Sequence, residues 1–235
     1  ITMSGKSTRP NIVELGKWRL PITIIISIFS FFVIILPFIT VAITSFTVNM
    51  GKPLTFSNLS LKAWEKVFSR ASIISSTTNS FLTATAAAFF GILISCVMAY
   101  LLQRTNVKGK RIPDFLITLG SGTPSVTIAL ALIISMSGKF GINIYNTLTI
   151  MVVAYMIKYM LMGMRTVVSA MSQVHPSLEE AAQISGANWL RMLKDVTLPL
   201  IGASIVAGIF LIFMPSFYEL TMSTLLYSSN TKTIG

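Results

Sequence analysis

The placement of charge constrains this chain more than any other feature. Between Arg19 and Lys52 there are 32 residues without a charge, and between Arg70 and Arg104 there are 33. Shorter uncharged runs separate Asp114 from Lys139 (24 residues), Lys139 from Lys158 (18) and Asp195 from Glu219 (23). A bilayer-crossing helix needs about 20 predominantly apolar residues, so five spans fit. Only 11% of the 235 residues are charged, against about 25% in a soluble domain. Within hydrocarbon a helix satisfies its own backbone, which makes the expected fold an all-α polytopic transmembrane bundle.

The spans are expected at about 20–46, 78–102, 113–136, 142–171 and 198–217. Pro37 should kink the first. Residues 47–77 form a polar connection, and Leu59 to Phe68 within it has the pattern of an amphipathic helix at the interface, with Trp64 and Phe68 on one face. The second span is lined by Thr83, Ala84, Thr85, Ala86, Ala87, Ala88 and Gly91, small residues that let helices approach closely in lipid. In the third, Gly120-Ser121-Gly122-Thr123-Pro124-Ser125 should loosen the helix, as a packing kink or beside a water-filled path.

The net charge of +11 does not point to nucleic acid, because the basic residues lie at the ends of apolar runs rather than on one patch. That placement orients membrane proteins. The N-terminal segment 1–19, the 103–113 loop and the region after the fourth span carry eleven Lys and Arg, against six in the alternate loops. The count places the N-terminus and the 173–196 insert on the cytoplasmic side. Neither metal ligands nor cofactor motifs are expected: His175 is the sole histidine and Cys96 the sole cysteine. The phosphate-binding Gly-x-x-x-x-Gly-Lys-Ser/Thr pattern does not occur either, so the chain reads as a non-enzyme.

Three charged residues near or within the spans are candidate pathway groups. Lys158 and Arg165 lie seven residues apart on one helix face, and intramembrane cations are costly enough to suggest a role. Arg165 also has the alternative of reaching the interface by snorkelling. Glu219 ends the last run.

The polar insert carries the most specific pattern. Ser177-Leu178-Glu179-Glu180 reads as a capping box, with Ser177 as cap and Glu180 reaching back to it. Ala181, Ala182 and Gln183 continue a short helix at about 178–185, and Gly186 suits a left-handed C-terminal cap. Asn188 should cap a second short helix bearing Trp189, Leu190, Met192 and Leu193. Thr197, Leu198 and Pro199 should then restart a helix, with Thr197 as its cap. The expected object is a knob carried on two spans.

Glu180-Ala181-Ala182, three residues, Gly186, nine residues, then Val196-x-Leu198-Pro199 resembles the signature loop of binding-protein-dependent ABC importer permeases. The similarity runs from the first span to about Thr231. It implies a domain of 20–235 folded as a type I importer permease bundle, with the coupling loop at 173–196. In that family the first short helix sits in a groove on the ATPase, which assigns ATPase coupling to Glu180, Ala181, Ala182, Gly186, Leu198 and Pro199.

The resemblance further implies nucleotide-binding ATPase subunits, a second permease half (fused or separate), an extracytoplasmic solute-binding protein and surrounding lipid as partners. The implied location is a bacterial inner membrane. Ala154 to Tyr159 with Arg165, and Tyr218-Glu219-Leu220 with Thr224 to Tyr227, look like the second half of ferric-iron-type permeases. Related subgroups handle aminoethylphosphonate, thiamine and polyamines, and a secondary transporter is the remaining alternative. The family domain has six spans, so a sixth is expected beyond Gly235.

Overall fold

In the computed structural model, residues 15–49, 51–53, 55–139 and 141–235 are described; the segment expected at 1–19 lies mostly outside them. Helices dominate throughout, and the described β-structure consists of two isolated bridges, Thr47 with Leu59 and Ser137 with Asn143. The chain divides into two compact units, Ile1–Ser69 and Arg70–Gly235.

The first unit holds α1 (Gly16–Ser45) and α2 (Lys62–Ser69). Ile and Phe occupy every side of α1, the pattern of a helix immersed in apolar surroundings. The chain does not break at Pro37. A π-turn over Phe31–Ile35 precedes it, widening the helix where the proline ring would meet the carbonyl four residues back. The rings of Trp64 and Phe68 stack at 6.0 Å on α2, on the shared face that the sequence pattern predicts.

The second unit is built on three long helices packed against one another: α3 (Ala71–Arg104), α6 (Leu148–Gln173) and α8 (Trp189–Phe217). The small residues of α3 are the reason they approach so closely. Ser80, Thr83, Ala84, Ala87, Ala88, Gly91, Ser95 and Ala99 are all buried on it. Where α6 crosses α8, glycine meets glycine. A Cβ on Gly163 would stand 2.7 Å from Ile212 Cδ1 and 3.2 Å from the Gly208 carbonyl oxygen. A side chain at this crossing would force the helices apart.

The expected third span is two helices, α4 (Arg111–Gly122) and α5 (Ser125–Met136), bent by 111° at the Thr123-Pro124 break. This is a corner, far sharper than the expected loosening. Pro124 disfavours helical backbone at Thr123, which is extended with ψ 138°. Helix α3 also begins earlier than expected, at Ala71: Ser75 to Asn79 are polar but continue the helix. Beyond α8, α9 (Thr221–Leu226) packs on α5 and α6. The last residues return to α3, where Asn79 Nδ2 donates to the Lys232 carbonyl at 2.9 Å and Ser80 Oγ accepts from the Ile234 N–H at 2.8 Å.

Candidate coupling site

The insert folds as α7 (Pro176–Ile184), a turn, and the first residues of α8. Its start differs from the expectation. Proline at the first helical position has no N–H to satisfy and a preset φ, so the helix opens at Pro176 and the cap falls on His175 instead of Ser177. His175 Nδ1 accepts from the Ser177 N–H at 3.2 Å and lies 2.7 Å from the Ser177 hydroxyl. Ser177 therefore sits inside the first turn, past the cap position expected for it. Glu180 is exposed and makes no side-chain hydrogen bond among the described residues, so the reciprocal half of the capping box does not form.

The end of α7 follows the sequence. Gly186 has φ +88°, the left-handed region that a Cβ disfavours. The Ala187 N–H reaches the Ala182 carbonyl at 3.0 Å and the Gly186 N–H reaches the Gln183 carbonyl at 2.9 Å. These two bonds close a Schellman turn and fix the exit direction of the chain. Asn188 then caps α8 as expected, its Oδ1 accepting from the Arg191 N–H at 2.9 Å.

The expected restart at Thr197 does not occur. Helix α8 runs unbroken from Trp189 to Phe217 through a π-turn at Leu193–Thr197. Thr197 has helical φ −66° and ψ −52° and makes no cap bond. The wide turn precedes Pro199 by the same offset as the one before Pro37, and it answers the same missing N–H and ring clash.

Thr197 is instead one member of a buried polar cluster. Its hydroxyl donates to Glu179 Oε1 at 3.0 Å, and Glu179 Oε2 receives Arg104 Nε at 3.0 Å. Arg104 Nη2 donates in addition to the carbonyls of Val174 (2.7 Å) and Met171 (3.3 Å). The Val174 carbonyl lies past the last turn of α6, and that of Met171 otherwise accepts a single long bond from the Val174 N–H at 3.3 Å; a cation there is also favoured by the helix dipole. Both side chains of the ion pair are only 9% exposed. Arg104 at the end of α3 thus ties together α6, α7 and, through Glu179, α8. Trp189 Nε1 adds a second tie to α3, donating to the Tyr100 hydroxyl at 2.7 Å.

With Glu179 turned inward, α7 presents a different face outward. Glu180, Ala181, Gln183 and Ile184 lie toward that side, with Ala182 beside them. Ile184 is 88% exposed and Leu190, across the turn, 68%. Leu178, Ala181, Ala182, Ser185, Asp195, Val196, Pro199 and Leu200 line a shallow groove of about 470 Å³ beside this face. Leu198 is exposed. Of the expected site residues, the fold gathers Glu180, Ala181, Ala182 and Gly186 on one short element and sets Pro199 against its flank. Sequence reasoning misses the roles of Arg104, Glu179 and Thr197. The signals are present: a Glu-Glu doublet, and an arginine as the first charge after 33 uncharged residues.

The three candidate pathway residues have separate surroundings. Lys158 Nζ donates to the carbonyls of Ser121 (3.0 Å) and Thr123 (2.8 Å) at the corner between α4 and α5. Arg165 lies 3.0 Å from Asp114 Oδ1, a contact of charge rather than an aligned hydrogen bond, and donates to Thr118 Oγ1 at 3.1 Å. Glu219 is buried, and its Oε2 accepts from the N–H groups of Met222 (2.8 Å) and Ser223 (3.1 Å) at the start of α9.

Long apolar helices, a close-packed three-helix centre and a latched helix between two spans define a multi-pass membrane protein with a built polar insert. Residues 91–233 match the family of binding-protein-dependent transport system inner membrane components, and the chain belongs to that family. It is 24% identical to the ferric transport system permease protein FbpB of Actinobacillus pleuropneumoniae, a match over 99% of this chain and 34% of that protein. It is 26% identical to the sulfate transport system permease protein CysT of Salmonella typhimurium, over 74% of this chain and 72% of that one. The chain therefore spans about a third of the length of the ferric relative. Its fold is similar to a chain in the crystal structure of a bacterial alginate ABC transporter in complex with alginate pentasaccharide-bound periplasmic protein. The TM-score is 0.68 at 17% identity, covering 92% of this chain and 78% of that chain.

Proposed function

We propose that this chain is a membrane-spanning permease part of an ATP-driven solute importer, and that α7 is the element an ATPase subunit grips. The observation that carries the reading is the division of labour on α7. Its inner face is fastened by Glu179, while its outer face offers an acid, two small residues and an exposed isoleucine. Small Ala181 and Ala182 allow close seating, and the exposed Ile184 supplies apolar area to bury against a partner. Gly186 sets the angle at which the helix is shown. In this reading the N-terminus and the insert face the cytoplasm, supported by the Lys and Arg bias. A second permease half completes the pathway, and a solute-binding protein delivers from the other side, as the family's description suggests.

Ferric iron is the first candidate solute, on the strength of a relative that matches nearly the whole chain. Sulfate is the second, because that relative matches along most of both chains. Lys158, Arg165 and one carboxylate oxygen of Glu219 are engaged within the fold, which favours structural roles for them over a place in the solute path. Association and transport test the reading. Glu180→Lys should lose co-purification of the ATPase subunit and nucleotide-driven uptake together; retention of both removes α7 from the interface. Uptake of radiolabelled ferric iron and of sulfate by vesicles containing the assembled importer separates the two solutes.

A further inference from the structure

The ATPase-facing helix is joined in sequence only to α6 and α8, so a force on it would be expected to enter those two spans. The buried cluster adds a third. We infer that Arg104, Glu179 and Thr197 form a transmission joint that makes α7 move as one body with the inner end of α3. The inference rests on the coupling role proposed for α7 and deepens it by naming the positioning residues behind the docking face.

The geometry supports this in three ways. Arg104 is the last residue of α3, 75 positions from Glu179 in sequence, so the contact joins elements that the chain itself does not connect closely. Each acceptor of Arg104 lies on the short path from the end of α6 into α7: Met171, Val174 and Glu179. The fork of the guanidinium therefore holds both the hinge before α7 and its first turn. Thr197 closes the other side, since its hydroxyl reaches the second oxygen of the same carboxylate. Glu179 is thus held between α3 and α8 with both oxygens engaged. A buried, charge-assisted cluster of this kind is stiff, because releasing one partner leaves another desolvated and unpaired. A connected cluster by itself is a structural argument for coupling, and the energetic link must be measured.

Two measurements test the joint. In the chain without nucleotide, amide exchange across residues 178–187 should accelerate about tenfold in Thr197→Val, which loses one bond to a charged group, and by more in Glu179→Gln, which leaves Arg104 buried without its counter-charge. Arg104→Lys, which keeps the charge but cannot span the same acceptors, should fall between these and the native protein. Unchanged exchange in all three overturns the joint.

In the assembled importer, spin labels at Leu93→Cys on α3 and Gln183→Cys on α7, in a Cys96→Ser background, should keep one separation with and without ATP and vanadate. In Thr197→Val the separation should shift on adding ATP and vanadate. A native separation that itself changes overturns the rigid connection. The two readings fail separately: if Glu180→Lys retains the ATPase, the docking face is wrong, and the exchange result still reports on the cluster.

Discussion

Two cations close the ends of two helices in this protein, and they do so in different company. At the corner between α4 and α5, Lys158 meets, among the described residues, the backbone oxygens of Ser121 and Thr123 alone. At the insert, Arg104 meets backbone oxygens of Met171 and Val174 and also a carboxylate. Both solve the same problem, since the last carbonyls of a helix have no partner in the helix. They differ in what is left behind when the cation is removed. Losing Lys158 orphans dipoles; losing Arg104 orphans dipoles and a buried charge. The corner is a device for bending a span, whereas the insert is a device for fastening three.

The largest effect should come from breaking the charged member. Arg104→Met leaves Glu179 buried without its counter-charge, which costs about 4 kcal/mol, read as a fall in thermal stability of the protein in detergent. Adding Glu179→Gln should recover a substantial part, because the second change removes the stranded charge. No recovery would show that Arg104 matters through the carbonyls alone and that the two sites are alike. Lys158→Met should cost less, about 2 kcal/mol, because it leaves unpaired carbonyl oxygens and no stranded charge behind. Its readout is the same melting measurement, and unchanged uptake in that variant would exclude Lys158 from the solute path.

The exit turn of α7 is next in size. Gly186 has φ +88° and nothing near its Cβ position, so Gly186→Ala tests backbone conformation and not crowding. An L-residue in the left-handed region costs about 1 kcal/mol. The expected outcome is faster amide exchange confined to the end of α7, with the melting point nearly unmoved. A large loss of stability would mean that the turn, and not the Arg104 cluster, fastens the insert.

Sequence reasoning reaches the elements of both sites and stops at their phase and angle. Uncharged runs disclose the four long apolar helices and the bent α4–α5 pair because hydrocarbon tolerates little else, and Asn188 and Gly186 disclose the two ends of the insert's turn because few residue types serve there. Glu179 and Glu180 are indistinguishable on such grounds. Neighbours on a helix point about 100° apart, and which of them turns inward depends on where the helix starts. Pro176 sets that start, and reading Ser177 as the cap shifts the phase. The sharpness of the 111° corner is hidden for a similar reason. Gly120 to Ser125 announces a weak place, but the carbonyls freed there are met by Lys158, 37 residues away from Ser121. Thr197 reads as a cap because Leu198-Pro199 resembles a helix start; a π-turn absorbs the proline instead, and frees the hydroxyl for Glu179.

Arg165 supplies the weakest test of the contrast between the two cations. It is the third cation along this part of the molecule, and its partners are an acid and a hydroxyl on an adjacent helix, with no backbone carbonyl among them. Its side chain is 49% exposed and that of Asp114 24%, so solvent or headgroups screen the arginine end of the pair. A pair of that kind contributes under about 1 kcal/mol. Arg165→Ala should therefore leave thermal stability almost unchanged, and Asp114→Asn should do the same. The two together should give no more than either alone, since each removes the same contact. If Arg165→Ala instead destabilises as strongly as Arg104→Met, exposure is a poor guide to what these cations do, and the ranking by stranded charge fails with it.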